Sequence, residues 1–355
     1  GDRAAGAIKS GGTTRRAAKM VVLDLDHPDI ETFVSWKVLE EQKVAALVAG
    51  SKLIRRHLNT VINSCHVQDA SGAEAVVTIP RENDRLRHAL QEARASCVPE
   101  AYLQRALQLA GQGLRAIDVP EYTTDWDGEG YATVSGQNSN NSVRVPNEFF
   151  RAVDEGGSWR LIRRTDRGIA KELDARELWD KVAYAAWACA DPGVQYDTTI
   201  NRWHTCPNSG PINASNPCSE YMFLDDTACN LSSLNLKKFQ RGDGSFDIER
   251  YRRAASIFIT AQEILVDHAS YPTPAIAENS HRYRPLGLGY ANLGSMLMSM
   301  GIPYDSDAGR GICGALTALL TGQGYLTSSR IASQVGAFAG YPENEKPMLR
   351  VMQMQ

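Results

Sequence analysis

Two features of the sequence predict an α/β fold: short β-branched or apolar runs alternate with stretches whose apolar residues recur at helical spacing, and the helical stretches carry recognisable start and stop signals. The run Met20-Val21-Val22-Leu23-Asp24-Leu25 suits a buried parallel strand. A helix through Phe33, Trp36 and Lys37 follows, with either Asp29 as its N-cap or Pro28 as its first residue. His27, beside that proline, reads as a capping residue rather than a metal or acid–base group. From about Val48 to Gly128 the character changes to an inserted helical module. Its helices are expected over Arg81–Cys97 and Pro99–Ala116, with Tyr102, Ala106, Leu107 and Ala110 on one face of the second.

The chain then returns to strand-like sequence at Tyr131–Ser135, followed by an amide-rich loop holding Gln137, Asn138, Asn140 and Asn141. Pro146 and Asn147 open a short helix through Phe149, Phe150 and Val153. Asp174 and Glu177 form a capping-box pattern ahead of a helix with the stripe Leu178, Val182, Ala185 and Ala186. That helix ends near Cys189, a packed helical thiol, before Asp191-Pro192-Gly193. After the polar turn Arg241–Gly244 a long helix runs from Ile248 to about Ala269, with Tyr251, Ala255, Phe258, Ile259, Gln262 and Leu265 in phase. Gly287-Leu288-Gly289 lacks the third glycine, preceding strand and acidic partner of a dinucleotide fingerprint, so close packing of backbone elements explains it better. One more helix completes the chain from Gly311. These boundaries divide it into residues 1–47, the module 48–128, and residues 129–355.

Composition excludes several classes. With 355 residues, 43% hydrophobic and 22% charged, and a net charge of −3, the chain has the profile of a soluble globular protein. It has no basic excess to favour a nucleic-acid polymer and no apolar run of the ~20 residues that a membrane span needs. Its first residues offer neither an initiator Met nor a signal-peptide core. Seven cysteines without a CxxC pair argue for reduced thiols in the cytoplasm, with any disulfide transient and catalytic. Cys65 with His66 and Cys97 are too loosely spaced for a zinc site, and no metal is expected. Cys206 lies close to the motif described next but outside it, and has no assigned role.

The chemistry concentrates in Asn216-Pro217-Cys218-Ser219-Glu220 and in Cys229, eleven residues after Cys218. An amide and a carboxylate each stand two residues from a thiol, so all three can project to one side of an extended loop. An amide to hold a hydroxyl, a carboxylate to take its proton and a sulfur between them suit chemistry on a polyhydroxylated ring. A proline turn with a cysteine packed as a small hydrophobe is the structural alternative. Near the start, Lys9-Ser10-Gly11-Gly12-Thr13-Thr14-Arg15-Arg16 combines glycines that let backbone amides approach an anion with cations that grip phosphate.

The segments Asn213–Tyr221 and Ala228–Leu236 closely resemble the finger-loop region of ribonucleotide reductase large subunits, and the short gap between the thiols resembles the adenosylcobalamin-dependent (class II) branch. The resemblance implies the ten-stranded α/β barrel of the ribonucleotide reductase and glycyl radical enzymes, with a helical insertion at 48–128 and Cys218 on a loop inside the barrel. It implies a thiyl radical at Cys218, Glu220 as general base, Asn216 as hydrogen-bonding partner of the sugar, and Cys229 as half of a redox-active pair whose other thiol lies outside this chain. Residues 216–220, including Pro217 and Ser219, would contact the ribonucleotide. Lys9, Ser10, Gly11, Gly12, Arg15 and Arg16 match the specificity loop that serves deoxynucleotide effectors. The implied cofactor is adenosylcobalamin and the implied partners are a thioredoxin-type reductant and a second copy in a homodimer, all in the service of DNA synthesis and repair. The family's upstream redox-active Cys and its downstream loop for substrate phosphates find no match here, so the resemblance implies an interior fragment, expected to be inactive alone. Two alternatives remain at this stage: a di-iron-dependent reductase, and a nucleotide-binding regulatory module without chemistry.

Overall fold

A computed structural model describes residues 1–8, 17–68, 71–125 and 127–355. The chain divides into two compact units, one of Gly1–Val143 and Phe149–Val194, the other of Arg144–Glu148 and Gln195–Gln355.

The first unit opens with α1 (Asp2–Ala7) and β1 (Lys19–Asp24), then the long α2 (Ile30–Cys65). The sequence boundary at residues 47–48 falls inside α2, which runs through it unbroken. At its start, Asp29 occupies the N-cap position, and its backbone N–H donates to Nδ1 of His27 at 3.1 Å. The hairpin β2 (His66–Gln68) and β3 (Glu74–Val76) leads to α3 (Asp84–Ala95) and α4 (Glu100–Gly111). Asn83 caps α3 by accepting from the Leu86 N–H at 3.0 Å, while its amide donates to the Ser64 carbonyl at 2.7 Å. The C-terminal half of α2 shares one apolar core with these two helices, built on Leu58, Val61, Ile62, Leu86, Leu90 and Leu103. In α4 Ala106 and Ala110 are buried and Leu107 packs against the core as predicted, but Leu103 takes the buried place expected of Tyr102, which is exposed. Cys65 is buried and Cys97 exposed.

The expected strand at 131–135 is instead the short helix α5 (Glu129–Ala132) and a turn. Thr133 closes it by donating its hydroxyl to the Gly130 carbonyl at 2.7 Å. The Ser135 N–H goes to the Glu40 carboxylate at 2.8 Å, so side chains rather than a sheet partner satisfy this backbone. Of the amide-rich tract, Gln137 and Asn138 lie in a turn as expected, while Asn140 and Asn141 belong to a strand, β4 (Ser139–Val145), buried except at residue 140. After α6 (Asn147–Glu155), β5 (Ser158–Ile162) pairs antiparallel with β6 (Ile169–Asp174). Asp174 caps α7 (Ala175–Cys189), accepting from the Glu177 N–H at 2.9 Å, and Leu178, Val182 and Ala185 are the buried stripe. The next strand, β7 (Gly193–Tyr196), joins a three-stranded sheet in the order β1-β4-β7.

The second unit contains α8 (Asp197–Arg202), β8 (Asn230–Asn235), α9 (Ile248–His268), α10 (Pro274–Tyr283), β9 (Leu286–Ala291), α11 (Leu293–Ser299), α12 (Asp307–Val335) and α13 (Tyr341–Met354). Gly287-Leu288-Gly289 is therefore strand, and the single helix expected after Gly311 is two. The strands β8 and β9 run parallel in register, Asn230 opposite Leu286 through Asn235 opposite Ala291. Parallel neighbours need a long crossover, and α9 provides it, burying Tyr251, Ala255, Ile259, Gln262 and Val266. Phe258 and Leu265, expected on that face, are exposed. Leu234, Leu236, Phe239, Tyr251, Met296, Leu316 and Leu320 form the core of this unit. Among the described residues no helix is long and apolar enough to cross a membrane.

Candidate active site

The loop carrying Cys218 is a tight turn rather than the extended segment expected. Ser215 and Met222 form an antiparallel bridge at its base. Above it the Asn216 N–H donates to the Tyr221 carbonyl at 3.3 Å, and the Tyr221 N–H donates to the Asn216 side-chain oxygen at 2.9 Å. The Ser219 N–H closes a β-turn on the Asn216 carbonyl at 3.0 Å. Pro217 thus sits second in the turn, where its fixed φ is favourable, and Cys218 third. Ser219 takes a left-handed φ of 62°, which breaks the alternation of side chains between Cys218 and Glu220.

The expectation that Cys218 is enclosed is not met by these residues: Cys218, Ser219 and Glu220 are all exposed. The reason is geometric, since the turn projects past the Ser215–Met222 bridge and no described element covers its tip. Asn216 is half-buried, and its amide oxygen is committed to the loop, which leaves the amide N–H groups as its means of holding a hydroxyl.

Cys229 sits immediately before β8, half-buried, its Sγ 3.5 Å from the Asn230 carbonyl. Burial pushes its thiol up to about 11, and the nearby Glu220 carboxylate adds to the shift. The structure therefore brings Glu220 within electrostatic reach of Cys229. The segment between the two thiols is tied down at several points. The Tyr221 hydroxyl pairs with Thr227 Oγ1 at 2.8 Å, and burial raises this phenol well above its ordinary value. The Ala228 N–H donates to Ser280 Oγ at 2.9 Å, and the Asn213 amide donates to the Asp225 carboxylate at 2.8 Å.

A measurable consequence follows for Cys229. Below pH 9 its thiolate fraction is about 100-fold smaller than that of a thiol at the ordinary value. Iodoacetamide labelling at pH 8, resolved by mass spectrometry, is expected to be at least about 30-fold slower at Cys229 than at a reference cysteine peptide, and to accelerate as pH rises toward 11. Equal rates would show that the thiol is neither buried nor repelled.

The family model for the ribonucleotide reductase barrel domain matches residues 1–355. The chain belongs to the ribonucleotide reductase barrel-domain family. It is 56% identical over 353 residues to a protein of Bradyrhizobium diazoefficiens named vitamin B12-dependent ribonucleotide reductase, and 54% identical over 353 residues to one of the same name from Agrobacterium fabrum. A Streptomyces coelicolor protein of that name is 44% identical over 355 residues. Each match takes in 99% of this chain but only 28% of the first two proteins and 30% of the third, so the chain spans less than a third of the length of these relatives.

Within this reductase barrel segment, two residues fix Cys229 that the sequence did not mark as functional. Gln262, 3% exposed on α9, donates its amide to the Asn230 carbonyl at 3.1 Å and to the Gly287 carbonyl at 2.7 Å. The Asn230 amide answers by donating to the Gln262 carbonyl at 3.0 Å. One side chain thus clamps β8 to β9 beside the thiol; its only signal in the sequence was a polar residue in an apolar stripe. Gly287 is the second. A Cβ there would lie 2.5 Å from a Leu231 methyl, 3.0 Å from Cys229 Sγ and 3.4 Å from the Asn230 carbonyl oxygen. Leu231 is exposed and can move, but the sulfur is packed. Gly287→Ala is expected to destabilise the fold by about 1–3 kcal/mol, read by urea denaturation, and an unchanged midpoint would show that the thiol yields freely.

Lys9, Ser10, Gly11, Gly12, Arg15 and Arg16, the predicted specificity loop, lie outside the described residues.

Proposed function

We propose that this chain is the catalytic barrel segment of an adenosylcobalamin-dependent ribonucleotide reductase, which converts ribonucleotides to 2′-deoxyribonucleotides. The observation that carries the reading is the Asn216-Pro217-Cys218 turn with Glu220 in electrostatic reach of Cys229, in a chain whose whole length matches the reductase barrel. The names of the relatives support cobalamin rather than a di-iron subunit as the radical source.

Among the described residues no set of side chains encloses a macrocycle beside Cys218, so no step is assigned through that cofactor. The roles of this chain's own residues follow from their chemistry. As a thiyl, Cys218 takes the 3′ hydrogen of the ribose. Glu220 accepts the 3′-hydroxyl proton, and the Asn216 amide N–H groups hold the sugar hydroxyls. The 2′-hydroxyl leaves as water. Cys229 and a second thiol outside this chain supply two electrons and two protons and become a disulfide, after which Cys218 returns the hydrogen to C3′. The raised pKa of Cys229 suits this role, because the thiol keeps its proton at neutral pH until the sugar requires it. A thioredoxin-type protein would restore the pair, and the Lys9–Arg16 loop would serve deoxynucleotide effectors at a homodimer.

The test is an assay of the full-length protein with ribonucleoside di- and triphosphates, a dithiol and adenosylcobalamin. Cobalamin-dependent deoxynucleotide formation without a second subunit is expected. Turnover that needs a di-iron partner, or effector binding without any turnover, would replace the reading by one of its two rivals.

A further inference from the structure

The second unit holds a buried polar network that leads into the Cys218 turn and has no part in the roles above. Arg144, 4% exposed at the end of β4, donates to Asp197 Oδ1 through Nε at 3.1 Å and to the Ile212 carbonyl through Nη2 at 2.6 Å. Asn201 holds the same two groups from the other side, its amide donating to Asp197 Oδ1 at 3.1 Å and to the Ile212 carbonyl at 3.2 Å. The remaining arm of the guanidinium, Nη1, points to Gln195 Oε1 at 3.4 Å. A guanidinium can only donate, so the end of Gln195 facing it must be the amide oxygen. Gln195 is 2% exposed, and its other end, Nε2, donates to Ser215 Oγ at 2.7 Å. A flipped amide would set two donors face to face in a buried site, which is costly.

The direction of donation is thereby fixed one residue further on. The Ser215 hydroxyl accepts from Gln195 and has its single proton left for the loop. Its two acceptors there are the Asn216 carbonyl at 2.9 Å and Ser219 Oγ at 3.3 Å. The Asn216 carbonyl is also the acceptor that closes the turn, and Ser219 is its left-handed residue. A permanently charged, buried arginine therefore sets the polarity of a relay that ends on the two residues flanking Pro217 and Cys218.

We propose that Gln195 is a positioning residue for the Cys218 turn, acting through Ser215; its catalytic importance rests on the reading of Cys218 as the radical-bearing thiol. A displacement of about 1 Å at a reacting atom is enough to cost on the order of 100-fold in rate. Substrate affinity drawn from the rest of the nucleotide would be spared.

Gln195→Glu in the full-length protein separates polarity from packing. The carboxylate keeps the length and still accepts from Arg144, but it cannot donate to Ser215, which must now turn its proton backward. Expected are a fall in kcat of at least about tenfold with KM changed less than about threefold, and amide exchange at Ser219 and Tyr221 faster by at least about tenfold while α9 is unaffected. Ser215→Ala, a small change at a half-buried site, should reproduce both effects, and the double variant should add less than about twofold to either single one. Unchanged exchange at Ser219 and Tyr221 in both single variants, or a double variant in which the effects simply sum, overturns the proposal. A wild-type protein that reduces no ribonucleotide overturns the functional reading instead, and the exchange measurement still decides the positioning role.

Discussion

Cys218→Ser in the full-length protein is expected to lower ribonucleotide reduction by at least about 10⁴-fold, to the background of the assay. The O–H bond of serine is far stronger than the S–H bond of cysteine, so the hydroxyl cannot take over as a carrier of the unpaired electron. The substitution is otherwise mild. Serine is accepted at the third position of this turn, and the bond from the Ser219 N–H to the Asn216 carbonyl does not involve the side chain. Nucleotide binding should therefore stay within about threefold of the wild type. Equilibrium dialysis alongside the turnover assay checks both halves, and retained turnover would remove Cys218 from the radical role.

Glu220→Gln is expected to lower kcat by roughly 10²–10⁴-fold, the usual contribution of a positioned general base. The amide is nearly isosteric, so a folding defect would not explain such a loss. A second readout comes from the geometry. The Glu220 charge helps to hold the Cys229 thiol high, and its removal lets that pKa fall back part of the way toward the ordinary value. Labelling of Cys229 at pH 8 should thus become faster in the same variant that loses turnover. Full activity in this variant would mean that another group takes the 3′-hydroxyl proton.

The parts of this fold that were legible in the sequence are those set by local chemistry. Asp174 caps its helix through its own side chain, accepting from the Glu177 N–H, and such a contact reaches only three residues along the chain. Asn216, Pro217 and Cys218 stood out as a candidate site by residue type, but the tight turn that the Ser219 N–H closes on the Asn216 carbonyl was not foreseen. What escaped depends on distant partners. The stretch at 131–135 has strand-like composition, yet Glu40 captures one of its backbone donors across the fold. The tail reads as one helix until Gly336 adopts a φ of 94° and Gly340 starts the next. Gln195 and Ser280 act on the loop and on the base of β8 from other elements, and nothing in their immediate neighbours announces it; Gln262 showed only as a polar residue in an apolar stripe.

The alternation of glycine and leucine in β9 carries a consequence for assembly. In the native register Gly287 lies opposite Leu231, beside the Cys229 sulfur. A slip by one position would bring Leu286 or Leu288 into that place, where an isobutyl group meets the sulfur head-on. The slipped strand would also take the Gly287 carbonyl away from the Gln262 amide, leaving it only the Asn230 carbonyl on β8. The packing around the thiol thus helps to set the register of the two strands beside it.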